Sequence, residues 1–115
     1  YYKSTNQRKI DLTVEGEEAK SILKQSFEKA TVIPGTPYMH HYVMEAMIKL
    51  GMKDEAIEYM KNYWGEMVEL GADTFWEIFI SGKPNVTYMK DPLLTSWCHA
   101  WSCSPSYFIR KYFIK

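Results

Sequence analysis

The sequence predicts an all-α protein built from antiparallel helical hairpins. Three stretches, at 17–30, 38–50 and 54–70, repeat their apolar residues at helical spacing. Short connections with proline or glycine separate them, and helices joined by short connections tend to run antiparallel. An apolar share of 46% and a charged share of 24% are ordinary for a folded globular chain and argue against disorder.

The N-terminal part contains a weak indication of a strand, followed by a clear helical pattern. Ile10, Leu12 and Val14 alternate with polar residues, which permits a short strand and equally a frayed helix end. The helix predicted over 17–30 begins with two glutamates, where the helix dipole favours negative charge. Its apolar positions are Ala19, Ile22, Leu23, Phe27 and Ala30.

The next two helices are predicted to form a hairpin. Thr36 is a candidate N-cap for the helix at 38–50, and Gly51 suits the position after its end. Its apolar stripe is Met39, Val43, Ala46, Met47 and Leu50. The stripe of the helix at 54–70 is Ala56, Ile57, Met60, Trp64, Met67 and Leu70. Gly65 costs that helix about 1 kcal/mol relative to alanine, which predicts close packing there.

The last part of the chain predicts where a functional site lies. Residues 72–95 read as a long loop, and 96–104 and 105–115 read as helical with a kink near Pro105. The short 51–53 connection lies at one end of the hairpin, so the 31–37 and 71–95 connections share the other. His40, His41 and His99 fall at that end, and long loops in compact domains are often functional.

Charge and cysteine content narrow the function classes. The 14 basic and 14 acidic side chains leave no net charge, which argues against a nucleic-acid partner. No apolar run approaches the roughly 20 residues of a membrane span, so no membrane partner is predicted. Cys98 and Cys103 do not fix the redox compartment. Aromatic residues make up 16% of the chain, which indicates either an exposed binding surface or a piece of a larger domain.

Two groups of residues in the second half could carry chemistry. Glu77 follows Trp76, and bulky rings that strip water from a carboxylate raise its pKa and suit it to proton transfer. The alternative is a core tryptophan beside a solvated acid. His99 lies between Ser96 and Trp101, where it either binds a ligand or is a core histidine. A serine hydrolase is disfavoured, because Ser96 and His99 are predicted on one helix and no Gly-x-Ser-x-Gly motif exists.

His41 and Glu45 lie four residues apart on one predicted helical face. This geometry serves a metal site or a simple polar pair, and the absence of a His-Glu-x-x-His pattern favours the pair. No metal and no cofactor are predicted.

Three blocks resemble a known family: TPY at 36–38, YWGEM with GADTFWE at 63–77, and SWCHAWSCSP at 96–105. They are similar, in order and spacing, to the C-terminal part of the catalytic domain of bacterial α-L-rhamnosidases, six-hairpin glycosidases with an (α/α)6 barrel. The resemblance covers about residues 13–113. It implies that residues 1–115 are a C-terminal fragment of such a domain, with roughly two of its six hairpins.

The resemblance also implies a mechanism and a site. The family is understood to invert configuration, with one carboxylic acid protonating the leaving oxygen and one carboxylate activating water. Glu77 aligns with the proposed general base and His99 with a histidine that contacts the sugar. Trp76 and Trp101 are expected to line or support that pocket.

The general acid of the family lies upstream of this part of the domain. The implied partners are therefore a rhamnose-containing glycoside or polysaccharide and the remainder of the same catalytic domain, and we expect the 115 residues to be inactive alone. Two alternatives stay open: a six-hairpin glycosidase acting on another sugar, and a small helical module that binds carbohydrate or protein. The resemblance implies a bacterial protein, and leaves cytoplasmic and periplasmic or secreted locations open.

Overall fold

The computed structural model describes residues 16–28, 35–83, 85–87 and 90–114. The chain divides into two units, residues 1–31 and 32–115. The first unit contains helix α1 (Gly16–Glu28), where Lys20 pairs with Glu17 at 2.8 Å. The first predicted helix is thus confirmed, and the strand considered over 10–14 lies outside the described residues.

The second unit begins with a helical hairpin. Helices α2 (Pro37–Lys49) and α3 (Lys53–Glu69) pack on each other and are joined by residues 50–52. The amide of Met52 donates to the Met47 carbonyl at 2.9 Å, which closes the end of α2. Both predicted helices are confirmed to within two residues. Thr36 occupies the predicted N-cap position, but its side chain makes no capping hydrogen bond.

The buried core of this unit lies between the two helices and the segments that follow them. Its apolar members are Met44, Met47, Ile48, Met52, Ala56, Met60, Tyr63, Trp64, Met67, Phe79 and Phe108. The stripe predicted for α3 is confirmed at Ala56, Met60, Trp64 and Met67, whereas Leu70 is 46% exposed.

The stripe predicted for α2 is confirmed at Met47 and wrong at Met39. Met39 is 47% exposed, whereas His40 is 3% exposed. His40 takes the core position because its ring stacks on Tyr63 at a centroid distance of 3.7 Å and shares a hydrogen bond with Tyr59. A histidine satisfied in this way can occupy a core face that an apolar pattern assigns to its neighbour.

Residues after α3 form a long irregular segment and a final helix. Short 3-10 turns lie at Pro92–Leu94 and Ala100–Ser102, and α4 (Ser104–Phe108) continues into a π-helical turn at Ile109–Phe113. The helix predicted over 96–104 is therefore wrong, and Pro105 lies in the first turn of α4 rather than at a kink. No strand occurs in the ranges that the structure describes, and none of their helices is long and apolar enough to cross a membrane.

Two glycines provide a test of this fold. The close packing expected at Gly65 is wrong, because a Cβ there meets no atom within 4 Å. Gly65→Ala is therefore expected to raise the free energy of unfolding by about 0.5–1 kcal/mol, since alanine restricts the unfolded chain. Gly71→Ala is expected to lower it, because Gly71 has a φ of +94°. Thermal unfolding measures both, and a shift of the same sign in the two variants would contradict the assignment.

Candidate active site

Two loop segments, 74–77 and 96–102, are tied together residue by residue. The Glu77 amide donates to the Ser96 carbonyl at 2.9 Å, and the His99 amide donates to the Phe75 carbonyl at 2.6 Å. The Thr74 hydroxyl donates to the Trp97 carbonyl. The carbonyls of Ser96 and Trp97, which an α-helix over 96–104 would pair with its own amides, thus accept from the other loop segment. This pairing explains why the helical pattern of residues 96–104 does not produce a helix.

Glu77 is fixed by this pairing. Its Oε2 accepts a hydrogen bond from the Ser96 amide at 2.7 Å, so Glu77 and Ser96 are joined by two reciprocal bonds. The residue is partly buried, and within the described part of the chain no donor is bonded to Oε1. Glu77 therefore has one oxygen held by the backbone and one that can accept a proton or a ligand hydroxyl.

His99 is oriented by the turn that follows it. It caps the 3-10 turn Ala100–Ser102, and its Nδ1 accepts from the Trp101 amide at 3.4 Å. Accepting at Nδ1 places the proton of a neutral imidazole on Nε2, which makes Nε2–H a donor toward a ligand. The Trp101 ring stacks on the imidazole at a centroid distance of 4.0 Å. The structure thus holds His99 and Trp101 together by a hydrogen bond and a ring contact.

Trp76 belongs to the first of the two paired segments. Its ring makes edge contacts with Trp97 at 5.2 Å and with Phe79 at 6.1 Å between centroids. Its carbonyl accepts from the hydroxyl of Ser102 at 2.6 Å. The Ser102 carbonyl in turn accepts from the indole Nε1 of Trp64 at 2.9 Å. A chain of hydrogen bonds therefore runs from α3 through Ser102 to the residue before Glu77.

The sequence pattern did not single out Ser102, although it is fully buried. Ser102→Ala is expected to lower the free energy of unfolding by about 1–3 kcal/mol, because the partly buried Trp76 carbonyl loses a donor. Ser106→Ala is the matched control, since Ser106 is exposed and four residues further on. Denaturant unfolding measures both losses, and equal effects would contradict the assigned bond.

The two remaining histidines, His40 and His41, have different partners. His41 Nε2 is 3.7 Å from Glu45 Oε2, and its Nδ1 shares a 3.0 Å hydrogen bond with the Ser104 hydroxyl. The predicted polar pair is therefore confirmed, and His40 belongs to the core. In the described parts of the chain, no three His, Cys, Asp or Glu side chains are grouped so as to hold a metal ion.

The comparisons with known proteins identify the family of the chain. Residues 5–113 match the bacterial α-L-rhamnosidase six-hairpin glycosidase domain, and the chain belongs to this family of glycoside hydrolases. A solved structure, described as a rhamnosidase from Klebsiella oxytoca with rhamnose bound, is 43% identical in sequence, with a TM-score of 0.77. The match covers 83% of this chain and 19% of that chain. No curated protein matches significantly.

The family assignment confirms the all-helical, six-hairpin fold class expected from the sequence. The chain spans about a fifth of the length of the Klebsiella oxytoca protein. The roles expected for Glu77, His99, Trp76 and Trp101 stay predictions, as does the extent of the domain beyond these residues.

Proposed function

We propose that this chain supplies the general base and part of the sugar pocket of an inverting α-L-rhamnosidase. The observation that carries the proposal is the state of Glu77: Oε2 is held by the Ser96 amide at 2.7 Å, in a loop pair that also carries His99. A base must keep its direction while it accepts a proton, and a backbone donor on one oxygen provides that. Membership of the rhamnosidase family supports this assignment.

In the proposed reaction, Oε1 of Glu77 accepts a proton from a water molecule. The water oxygen attacks the anomeric carbon as the bond to the leaving oxygen breaks. A carboxylic acid on the opposite face of the sugar protonates that leaving oxygen. In inverting enzymes the two carboxyl groups lie about 6.5–9.5 Å apart, which leaves room for the water. We expect the acid to come from another part of the same catalytic domain.

The sugar is proposed to bind beside this carboxylate. His99 offers Nε2–H to a sugar hydroxyl, while the rings of Trp76 and Trp101 offer apolar faces. The Klebsiella oxytoca rhamnosidase has rhamnose bound, and this supports a rhamnoside as the substrate here. A different sugar on the same fold is the alternative, and it is decided by activity on a panel of aryl glycosides.

The test is the stereochemistry of hydrolysis by the full-length protein that contains this sequence. We expect an aryl α-L-rhamnoside to release β-L-rhamnose first, followed by the α-anomer through mutarotation, as proton NMR of the anomeric signals records. Initial release of the α-anomer would contradict the general-base role of Glu77, because it indicates retention. Failure to cleave any rhamnoside, with cleavage of another glycoside, would favour the alternative.

The 115 residues alone are proposed to be inactive. An inverting mechanism needs two carboxyl groups, and the resemblance places the acid outside this chain. We expect no rhamnose release by the purified 115-residue chain under conditions in which the full-length protein is fully active. Release at a comparable rate would show that the chain contains its own acid.

A further inference from the structure

A second feature lies next to His99 and is separate from Glu77. It is an open pocket of about 290 Å³, and four of the side chains that line it are aromatic rings: Tyr38, Tyr42, Trp101 and Tyr107. All four rings are between 40% and 53% exposed. Trp101 belongs to both places, because it stacks on His99 at 4.0 Å and lies 5.7 Å from the ring of Tyr38. The pocket therefore begins one ring away from the histidine that is proposed to hold the sugar.

The polar groups of the pocket are hydrogen-bonding side chains on tyrosine, histidine and serine. The hydroxyls of Tyr38 and Tyr42 share a 2.6 Å hydrogen bond, which raises the pKa of Tyr42, so its phenol stays protonated at neutral pH. His41 and Ser104, which also line the pocket, form a second pair at 3.0 Å. Neither a carboxylate nor a Lys or Arg side chain lines the pocket among the described residues.

Aromatic walls with a few placed hydroxyls are typical of small-molecule sites, and sites for drug-sized ligands are usually about 300–1,000 Å³. A pocket of about 290 Å³ is at the lower limit of that range and suits a single ring. The lining suits a ring that has an apolar face and hydroxyl groups at its edge.

We propose that this pocket, the leaving-group pocket, binds the ring attached to the sugar that is released. Its ligand is a hydroxylated six-membered ring, either a second sugar or a phenol, which stacks on Trp101 and the tyrosines and bonds to the Tyr38–Tyr42 hydroxyl pair. This inference rests on the proposed function, because it takes His99 as the contact of the released rhamnose. It adds a specificity site whose lining residues, apart from Trp101, lie outside the proposed sugar site.

The kinetic test compares three substrates in the full-length protein. These are α-L-rhamnosyl fluoride, an aryl α-L-rhamnoside and a rhamnosyl-glucose disaccharide; the fluoride has no ring in the leaving group. Tyr42→Ala is expected to lower kcat/KM for a ring-bearing substrate, relative to the fluoride, about tenfold. Tyr42→Phe keeps the ring and is expected to show a smaller loss. Leu93→Ala, at a residue 92% exposed and outside the pocket, is expected to leave the ratios unchanged.

The pattern of loss identifies the ligand. A loss confined to the disaccharide assigns the pocket to a second sugar, and a loss confined to the aryl substrate assigns it to a phenolic ring. A loss on both assigns it to ring stacking in general. Unchanged ratios for both substrates in Tyr42→Ala would overturn the inference. If the wild-type protein cleaves no rhamnoside, the proposed function fails and the pocket has no role as its leaving-group site.

Cysteine labelling gives a second readout that needs no turnover. Cys103 lines the pocket, whereas Cys98 does not, and both thiols are free and exposed. In the Glu77→Gln protein, we expect the disaccharide to slow alkylation of Cys103 by iodoacetamide at least fivefold relative to rhamnose alone. Peptide mass spectrometry reports both cysteines, with Cys98 as the internal control. Equal Cys103 rates with saturating disaccharide and with rhamnose would overturn the inference.

Discussion

Replacing Glu77 with glutamine is expected to lower kcat for an aryl α-L-rhamnoside by about a hundredfold or more in the full-length protein, the scale of general base catalysis. The amide keeps an oxygen that can accept from the Ser96 N–H, so the loop pairing is preserved while the base is lost. KM is expected to change much less than kcat, because the substitution acts on proton transfer. Steady-state kinetics with matched circular dichroism spectra measure this.

Glu66 provides a matched control for this experiment. Its carboxylate also accepts a backbone hydrogen bond, from the Gly82 amide at 2.8 Å, together with one from the Ser81 hydroxyl. These bonds lower the pKa of Glu66 below its usual value, which marks it as a carboxylate that fixes a loop. Glu66→Gln is expected to keep nearly full activity. An equal loss of kcat in the two variants would indicate that Glu77, like Glu66, only fixes its loop.

The fold was predictable where local pattern and tertiary packing agree. Helix α3 begins after a turn, has acidic residues in its first turn and buries Met60, Trp64 and Met67 at helical spacing. Residues 96–104 have tryptophans at the same spacing, but the carbonyls of Ser96 and Trp97 accept from Glu77 and Thr74 instead of from amides one helical turn later. The pattern of residues 96–104 does not show that the 74–77 segment will bond to them, so the sequence alone could not exclude a helix there.

The site was predictable only in outline. Loop lengths alone placed Glu77 and His99 at the same end of the hairpin, and the structure ties their segments together. The supporting groups were not predictable, because Ser102 and Tyr63 act through contacts with residues far away in sequence. The Ser102 hydroxyl bonds to a residue 26 positions earlier, and Tyr63 to one 16 positions later. These residues become neighbours only when the chain is folded, so the sequence does not show that they pair.

The second large effect is expected at Phe79, which anchors the loop that carries Glu77. Phe79 is 2% exposed and meets the ring of Tyr63 edge-on at 5.4 Å. Its amide donates to the Gly35 carbonyl at 3.1 Å, and its carbonyl accepts from the Tyr63 hydroxyl at 2.7 Å. Burial raises the pKa of Tyr63, so this phenol keeps the proton that it donates.

Phe79→Ala is expected to cost about 3–5 kcal/mol of unfolding free energy, through lost burial and a cavity beside Tyr63. Phe79→Leu keeps most of the volume and is expected to cost less than half as much. Hydrogen exchange localises the effect: in Phe79→Ala, the amides of Glu77 and His99 should exchange faster, since both bonds join the anchored loop to its partner. Unchanged exchange rates of these two amides would show that Phe79 stabilises the fold without holding the loop that carries Glu77. Faster exchange with reduced kcat would show that the geometry of Glu77 depends on a ring two residues away.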